Sequence, residues 1–304
     1  MAAIGMILRR ELRTIKDSAQ SRGRTIGFRD RRLFVVKTSR RIQMTKLDVR
    51  EKAERIVELF RGRRPTEILP ADVYPENLDE AYAIRRAFQE IEERKGRGAV
   101  AGYKIGLATP VMQRLCGVDE PCYGAIFLRE VHQRQAKLAA SDYCRLGVET
   151  EIAFRLGDDL PQGGDPGEIA AAVESCMAAI ELIEDLHYDY NRLDAAAMVA
   201  GNVWNAGVVL GTPVTEWRTQ DLAQATSRLF INGDEIGSGK GGDVMGHPLN
   251  ALAWLAEKLA AAGTPLRRGM IVMTGSMIPI QYPAPGDRVV IEVSGLGGAE
   301  LVLS

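Results

Sequence analysis

The chain has 304 residues, 46% of them apolar and 26% charged, with a formal net charge of −1. That length can bury one large core, and the balanced charge offers no field that would draw nucleic acid or a membrane surface. No apolar run reaches the roughly 18 residues that cross a bilayer, and Cys116, Cys122, Cys144 and Cys176 form no CxxC pair, so a cytoplasmic protein with reduced thiols is expected.

Residues 1–43 carry twelve Lys or Arg against three Asp or Glu and show no sustained apolar stripe. A transit peptide, a solvated tail and a translation start at Met44 all suit that composition. The start at Met44 is favoured, because an ordinary helix pattern follows it, and 1–43 is expected to be a basic extension outside the fold. An N-terminal helical region is expected over 44–99. Val49, Ala53, Ile56, Val57 and Phe60 share one face of a helix from Leu47 to Arg61. A second helix from Leu78 to about Arg94 has Asn77 as N-cap with Glu80 three residues on, a capping-box spacing, and Gly96 as its stop.

The pattern changes at Val100, where a domain over 100–304 is expected to begin. Val100–Ile105 and Gly124–Leu128 read as short buried strands. Val148–Leu156 alternates, with Val148, Ile152 and Phe154 on one face and Glu149 and Glu151 on the other. Ile169–Met177 reads as helix, running into a strand over Ala178–Ile183. Further strands are expected at Val208–Gly211, Ser227–Ile231, Met270–Thr274 and Val289–Val293, with one helix opened by Pro248 and closed near Gly263. Many strands with few helices between them argue for an α+β fold with a curled mixed sheet rather than a βαβ array.

Three features bear on chemistry. Glu149 and Glu151 are two apart on a strand, so their carboxylates leave the same face and repel unless a cation or proton lies between them. Oxygen-only ligation would point to a hard cation, Mg²⁺ or Mn²⁺; a wet surface pair is the plainer alternative. Glu181 stands inside the apolar run Met177–Ile183, where an unpaired carboxylate is costly, and is the candidate third ligand, whereas Glu184 and Asp185 are expected at the strand's wet end. Lys104, between glycines and apolar residues, is either a buried lysine with an anion partner or one that snorkels to the surface.

At these residues the chain resembles the 2-oxopent-4-enoate hydratase and 4-oxalocrotonate decarboxylase family, within the fumarylacetoacetate hydrolase superfamily. AGYKIGL (101–107), GVDEPCYG (117–124), GVETEIAF (147–154), AAIELIED (178–185), GHPLNALAWLAEKL (246–259) and TGSM with PGDRV (274–289) carry the resemblance in order. It implies a mixed β-roll of the fumarylacetoacetate hydrolase C-terminal type behind N-terminal helices. It implies metal ligation of Mg²⁺ or Mn²⁺ by Glu149, Glu151 and Glu181, and an active-site role for Lys104. The implied reaction is hydration of a 2-hydroxy-dienoate through its 2-oxo-alkenoate, in aromatic-compound catabolism. Decarboxylation of a 2-oxo-alkenedioate, C–C hydrolysis of an acylpyruvate, and a non-catalytic partner subunit are the alternatives. The implied partners are a small 2-oxo or enol acid, further copies of the chain, and a related decarboxylase or hydratase. Hydrolysis is weakened by the histidines, His132, His187 and His247, among which no His–Glu pair is evident; His247 is read as structural.

Three positions depart from the family pattern. Cys122 stands where hydratases resembling this chain carry an Asp that helps activate water, and is the second expected catalytic position, a small buried apolar residue being its bland alternative. Trp204 stands where a small hydroxyl residue is common, and Ile278 where a Thr is expected.

Overall fold

Asp48 opens the first helix with a full capping box: its side chain accepts from Glu51 N while the Glu51 carboxylate accepts from Asp48 N. The structure, a computed structural model, describes residues 47–304 apart from Glu67 and Pro161, and the basic extension lies outside the described residues. Helix α1 (Val49–Gly62) and helix α2 (Leu78–Glu92) pack together, held by apolar faces that include Ile56, Val57, Ile84 and Phe88. Asn77 caps α2 as its type predicts, but the capping box is incomplete: Glu80 turns instead to the buried Lys52 at 2.8 Å. A short π-turn, Glu93–Arg97, follows, with Gly96 at φ +101°.

Strand β1 (Val100–Gly106) then begins a seven-stranded mixed sheet. The other short helices are α3 (Pro110–Leu115), α4 (Pro166–Ala172), α5 (Ala195–Ala200) and the longer α6 (Pro248–Ala261). The strands are β2 (Cys122–Phe127), β3 (Val131–Gln133), β4 (Gln135–Leu138), β5 (Leu146–Leu156), β6 (Val173–Glu184), β7 (Asn205–Leu210), β8 (Thr226–Ile231), β9 (Asp234–Lys240), β10 (Ile271–Met273), β11 (Arg288–Val293) and β12 (Gly297–Leu303). The large sheet runs β2-β1-β10-β5-β6-β7-β3 and a second runs β4-β12-β11-β8-β9.

The expected helix over Ile169–Met177 is corrected. It ends at Ala172, and β6 starts five residues before Ala178, because Val173 to Met177 pair with Leu156 to Ala153 of β5. Long-range pairing overrides a weak local preference there. The hairpin β8–β9 turns on Asn232 and Gly233, at φ +54° and +94°. Both central residues take the left-handed conformation that a two-residue hairpin loop demands.

Register divides the large sheet into two faces. Gly102, Lys104 and Gly106 share a face with Ile126, Gly124 and Cys122 on one side, and with Ile271 and Met273 on the other. Through β10 and β5 that face continues to Ala153, and along β5 to Glu151 and Glu149. It then reaches Met177, Ala179 and Glu181. At one end it is filled by a separate apolar cluster of Ile126, Ala153, Met177, Ala179, Val208, Leu210, Ile271 and Met273. The polar residues adjoin it, Lys104 across from Met273, Glu151 across from Ala179 and Glu181 across from Val208. The opposite face belongs to the main core, which it shares with the second sheet and the helices. Among the described residues no helix is long and apolar enough to cross a membrane.

Candidate metal centre and active site

Glu149 lies directly across the β5–β6 ladder from Glu181, and Glu151 one pleat further along, across from Ala179. The ligand oxygens of Glu149, Glu151 and Glu181 all lie within 4.8 Å of one another. Glu151 and Glu181 are wholly buried and Glu149 is partly so. The wet surface pair is therefore not what β5 carries. Asp185 and Glu184 are also buried, not at a wet end. Asp185 accepts from the Tyr190 and Tyr282 hydroxyls and pairs with Arg145 at 2.5 Å, and Glu184 accepts from Cys144 N.

Lys104 reaches Glu181 Oε1 at 2.9 Å, buried rather than snorkelling. Asn205 Nδ2 donates to the same oxygen at 3.0 Å. Gly275 N donates to Glu151 Oε2 at 2.8 Å. The second oxygens, Glu181 Oε2 and Glu151 Oε1, are buried with no hydrogen-bond partner among the described residues. Two bare buried carboxylate oxygens beside a third carboxylate are costly unless a cation takes them; the donor set fits a hard divalent ion.

The electrostatics agree. Burial, then the charge of Glu181, pushes the Glu149 carboxyl up to about 7. Burial with the charges of Glu181 and Glu149 holds Glu151 well above the ordinary carboxylate range. Burial would lower the Lys104 pKa, but Glu181 and Glu149 more than offset it and the net direction is upward. Lys104 is therefore an ammonium at neutral pH. Burial pushes the Cys122 thiol up to about 12, so it is a neutral thiol.

Cys122 and Lys104 share the space over Gly106. A Cβ at Gly106 would lie 3.3 Å from Cys122 Sγ, 3.8 Å from Lys104 Nζ and 2.7 Å from Val203 Cγ1. Val203 belongs to a run of three non-glycine residues with left-handed backbone: Asn202, Val203 and Trp204 at φ +56°, +49° and +58°. Such conformations cost of order 1–3 kcal/mol each and persist only where the surroundings over-determine them. Here the Asn202 side chain does so, accepting from Ala125 N at 2.7 Å and donating to Ala125 O at 2.9 Å along the free edge of β2. The run delivers Val203 over Gly106 and Asn205 onto Glu181.

The remaining departures fall differently. Trp204 stacks on Tyr188, ring centroids 4.6 Å apart, and meets Tyr190 edge-on. Ile278 packs toward β9, where a Cβ on Gly237 would meet it at 2.9 Å. Further along the site face, a Cβ on Gly147 would strike Ile280 Cδ1 at 2.5 Å and Tyr282 Cε1 at 3.3 Å. Val203, Ile280 and Tyr282 therefore line the face that carries the carboxylates. His247 caps α6, its Nδ1 accepting from Leu249 N, as a structural residue would.

Residues 130–303 match the model of the fumarylacetoacetate (FAA) hydrolase C-terminal family. This chain belongs to that family. It is 32% identical over 256 residues to the 2-keto-4-pentenoate hydratase of Paraburkholderia xenovorans strain LB400, covering 84% of this chain and 94% of that one. It is 31% identical over 255 residues to the 2-hydroxyhexa-2,4-dienoate hydratase of Comamonas testosteroni, covering 82% and 95%. Among solved structures, the 4-oxalocrotonate decarboxylase of Pseudomonas putida G7, complexed with magnesium and adipate, superposes with a TM-score of 0.78 at 25% identity, covering 84% of this chain and 97% of that one. The expected α+β fold, N-terminal helices before a curled mixed sheet, is the one observed. Asn205, Val203 and Gly106 were not singled out from the sequence; the one signal was the Gly-Asn-Val-Trp-Asn run, whose importance lies in a backbone conformation that no residue type there announces.

Proposed function

We propose that the chain is a divalent-metal-dependent hydro-lyase that hydrates a 2-hydroxy-2,4-dienoate through its 2-oxo-alkenoate tautomer. The observation that carries the reading is the pair of bare, buried oxygens on Glu151 and Glu181 beside Glu149, with Lys104 2.9 Å from Glu181; the hydratase relatives support it. In this reading Glu149, Glu151 and Glu181 hold Mg²⁺ or Mn²⁺, and residues 100–304 form the catalytic domain. A cation there supplies Lewis-acid stabilisation for charge on the substrate's carboxylate and C2 oxygen.

The protein groups do the rest. Lys104 keeps its proton and faces the developing enolate as a cationic donor, worth most in a water-poor site. Cys122 is too weak an acid at about 12 to serve as a carboxylate base would, so it shapes the space beside Lys104 instead of drawing a proton from water. Val203 closes that space from above, while Ile280 and Tyr282 offer an apolar surface along the same face.

Decarboxylation of a 2-oxo-alkenedioate is the second reading, favoured by the decarboxylase fold match. Val203 and Ile280 favour hydration, since neither carries a charge to match a second carboxylate, and the Arg145 guanidinium 4.2 Å from the Tyr282 ring is already paired with Asp185. Turnover of 2-hydroxypenta-2,4-dienoate and of 2-oxohex-3-enedioate with Mg²⁺ or Mn²⁺, followed by product mass, decides between them. Gain of one water supports hydration, loss of CO₂ supports the alternative, and no metal-dependent turnover of either counts against both.

A further inference from the structure

Glu181 and Glu151 share one arrangement: each has one oxygen engaged by nitrogen donors and the other bare. On Glu181 the engaged oxygen is Oε1, held by Lys104 Nζ at 2.9 Å and Asn205 Nδ2 at 3.0 Å. On Glu151 it is Oε2, held by Gly275 N at 2.8 Å. We propose that the two donors on Glu181 Oε1 restrict that carboxylate to offering a single oxygen, and that Asn205 thereby biases the site toward Mg²⁺ or Mn²⁺ and against Ca²⁺. The inference rests on the reading of the three glutamates as a cation site.

Ca²⁺ takes six to eight oxygens at about 2.3–2.6 Å and gains from carboxylates that close on it with both oxygens, whereas Mg²⁺ demands a tight octahedron at about 2.0–2.1 Å. A two-oxygen grip by Glu181 would require Oε1 to shed its donors and bring the cation up against the Lys104 ammonium. Lys104 hangs on a long flexible stem whose donors rotate. Asn205 does not: its stem is short, it is 4% exposed, and it leaves directly from the left-handed run at 202–204. Its own Oδ1 is buried with no partner among the described residues, which costs free energy. Alanine would avoid that cost, so what the amide contributes is its donors, the closer to Glu181 at 3.0 Å and a longer one to Gly207 O at 3.4 Å.

The test uses the full chain stripped of metal, with Mn²⁺, Mg²⁺ and Ca²⁺ titrated separately by calorimetry into the parent, Asn205→Ala and Asn205→Leu. Both substitutions remove the donor, and thermal melts establish that each protein is folded, so one suffices if the other misfolds. The parent should prefer Mg²⁺ to Ca²⁺ by about tenfold or more, and the variants should lose at least about fivefold of that preference, chiefly through tighter Ca²⁺ binding. A parent that binds Ca²⁺ as well as Mg²⁺, or folded variants whose preference stays within about twofold of the parent's, overturns the proposal. Binding of none of the three ions is a different result: it removes the cation reading itself, and this inference with it. Calorimetry reports binding without turnover, so a parent inactive on every dienoate still gives an answer.

Discussion

Lys104→Met separates the ammonium that compensates Glu181 from the cation proposed to do so. Lys104 and Glu181 are both buried and 2.9 Å apart. Removing one partner of a buried pair costs about 3–5 kcal/mol, because the other charge is left behind. Methionine has nearly the same length and flexibility, so the cavity contribution is small. For a domain of this size about 1 kcal/mol moves Tm by roughly 2–4 °C, so in a chelator at pH 8 the variant should melt about 6–20 °C below the parent. Saturating Mn²⁺ stabilises either protein by mass action, about 2.7 kcal/mol at a hundredfold excess over Kd. The variant should gain more, since no ammonium then opposes the cation. The Tm gap should therefore narrow when Mn²⁺ replaces the chelator, while turnover stays down by about 10²–10⁴-fold because the donor is gone. Scanning calorimetry with and without Mn²⁺, beside a dienoate assay, reads all three quantities. Equal Tm values in chelator, or a gap that Mn²⁺ leaves unchanged, would refute the reasoning.

Gly106→Ala puts a methyl 2.7 Å from Val203 Cγ1; overpacking of this kind costs about 1–3 kcal/mol, and kcat should fall more than Mn²⁺ affinity, so a variant with unaltered kcat would show that this space is not used. Glu184 is held up to about 7 by burial; the folded state keeps a proton that the unfolded chain has released above about 4.3, so stability falls as pH rises from there to about 7 and stays lower above it. Glu184→Gln should then be more stable than the parent by up to about 3 kcal/mol at pH 8 and indistinguishable at pH 4, and denaturant melts giving the same difference at both pH values would contradict this. Cys122→Asp should raise hydration of 2-hydroxypenta-2,4-dienoate, and a parent that already hydrates it well, with no gain in the variant, would remove Cys122 as a functional departure.

The site's carboxylates were legible because their signals are local. Period-2 spacing places Glu149 and Glu151 on one face whatever the rest of the chain does, and an acid in Ala-Ala-Ile-Glu-Leu-Ile needs compensation wherever that strand goes. Their burial was not legible, since a strand's polar face is wet or dry depending on what covers it. Asp185 shows the same limit from the other side. Its position beside Glu184 looks like a solvated strand end, yet Arg145, Tyr190 and Tyr282, remote in sequence or across a turn, converge on it. β9 is hard to read from the sequence although Asn232-Gly233 is a strong short-range hairpin signal, because its residues, Asp-Glu-Ile-Gly-Ser-Gly-Lys, lack the apolar alternation that identifies a strand.

The three family departures sort by geometry rather than by chemistry. Ile278 packs toward Gly237, and Trp204 stacks on Tyr188. Cys122 alone of the three shares the space above Gly106 with Lys104. An aspartate in that place would bring a fourth carboxylate beside Glu149, Glu151 and Glu181, each added charge raising the others' pKa values and calling for more positive charge from Lys104 and the cation. A neutral thiol avoids that repulsion and gives up a proton acceptor in return. The same exchange is visible on Glu181, where two donors crowd one oxygen and leave the other bare. Around Glu149, Glu151 and Glu181 stand Lys104, Asn205 and the neutral Cys122, an environment that in the proposed reading suits a cation and an enolate and offers no ionised side chain at Cys122 to deprotonate water.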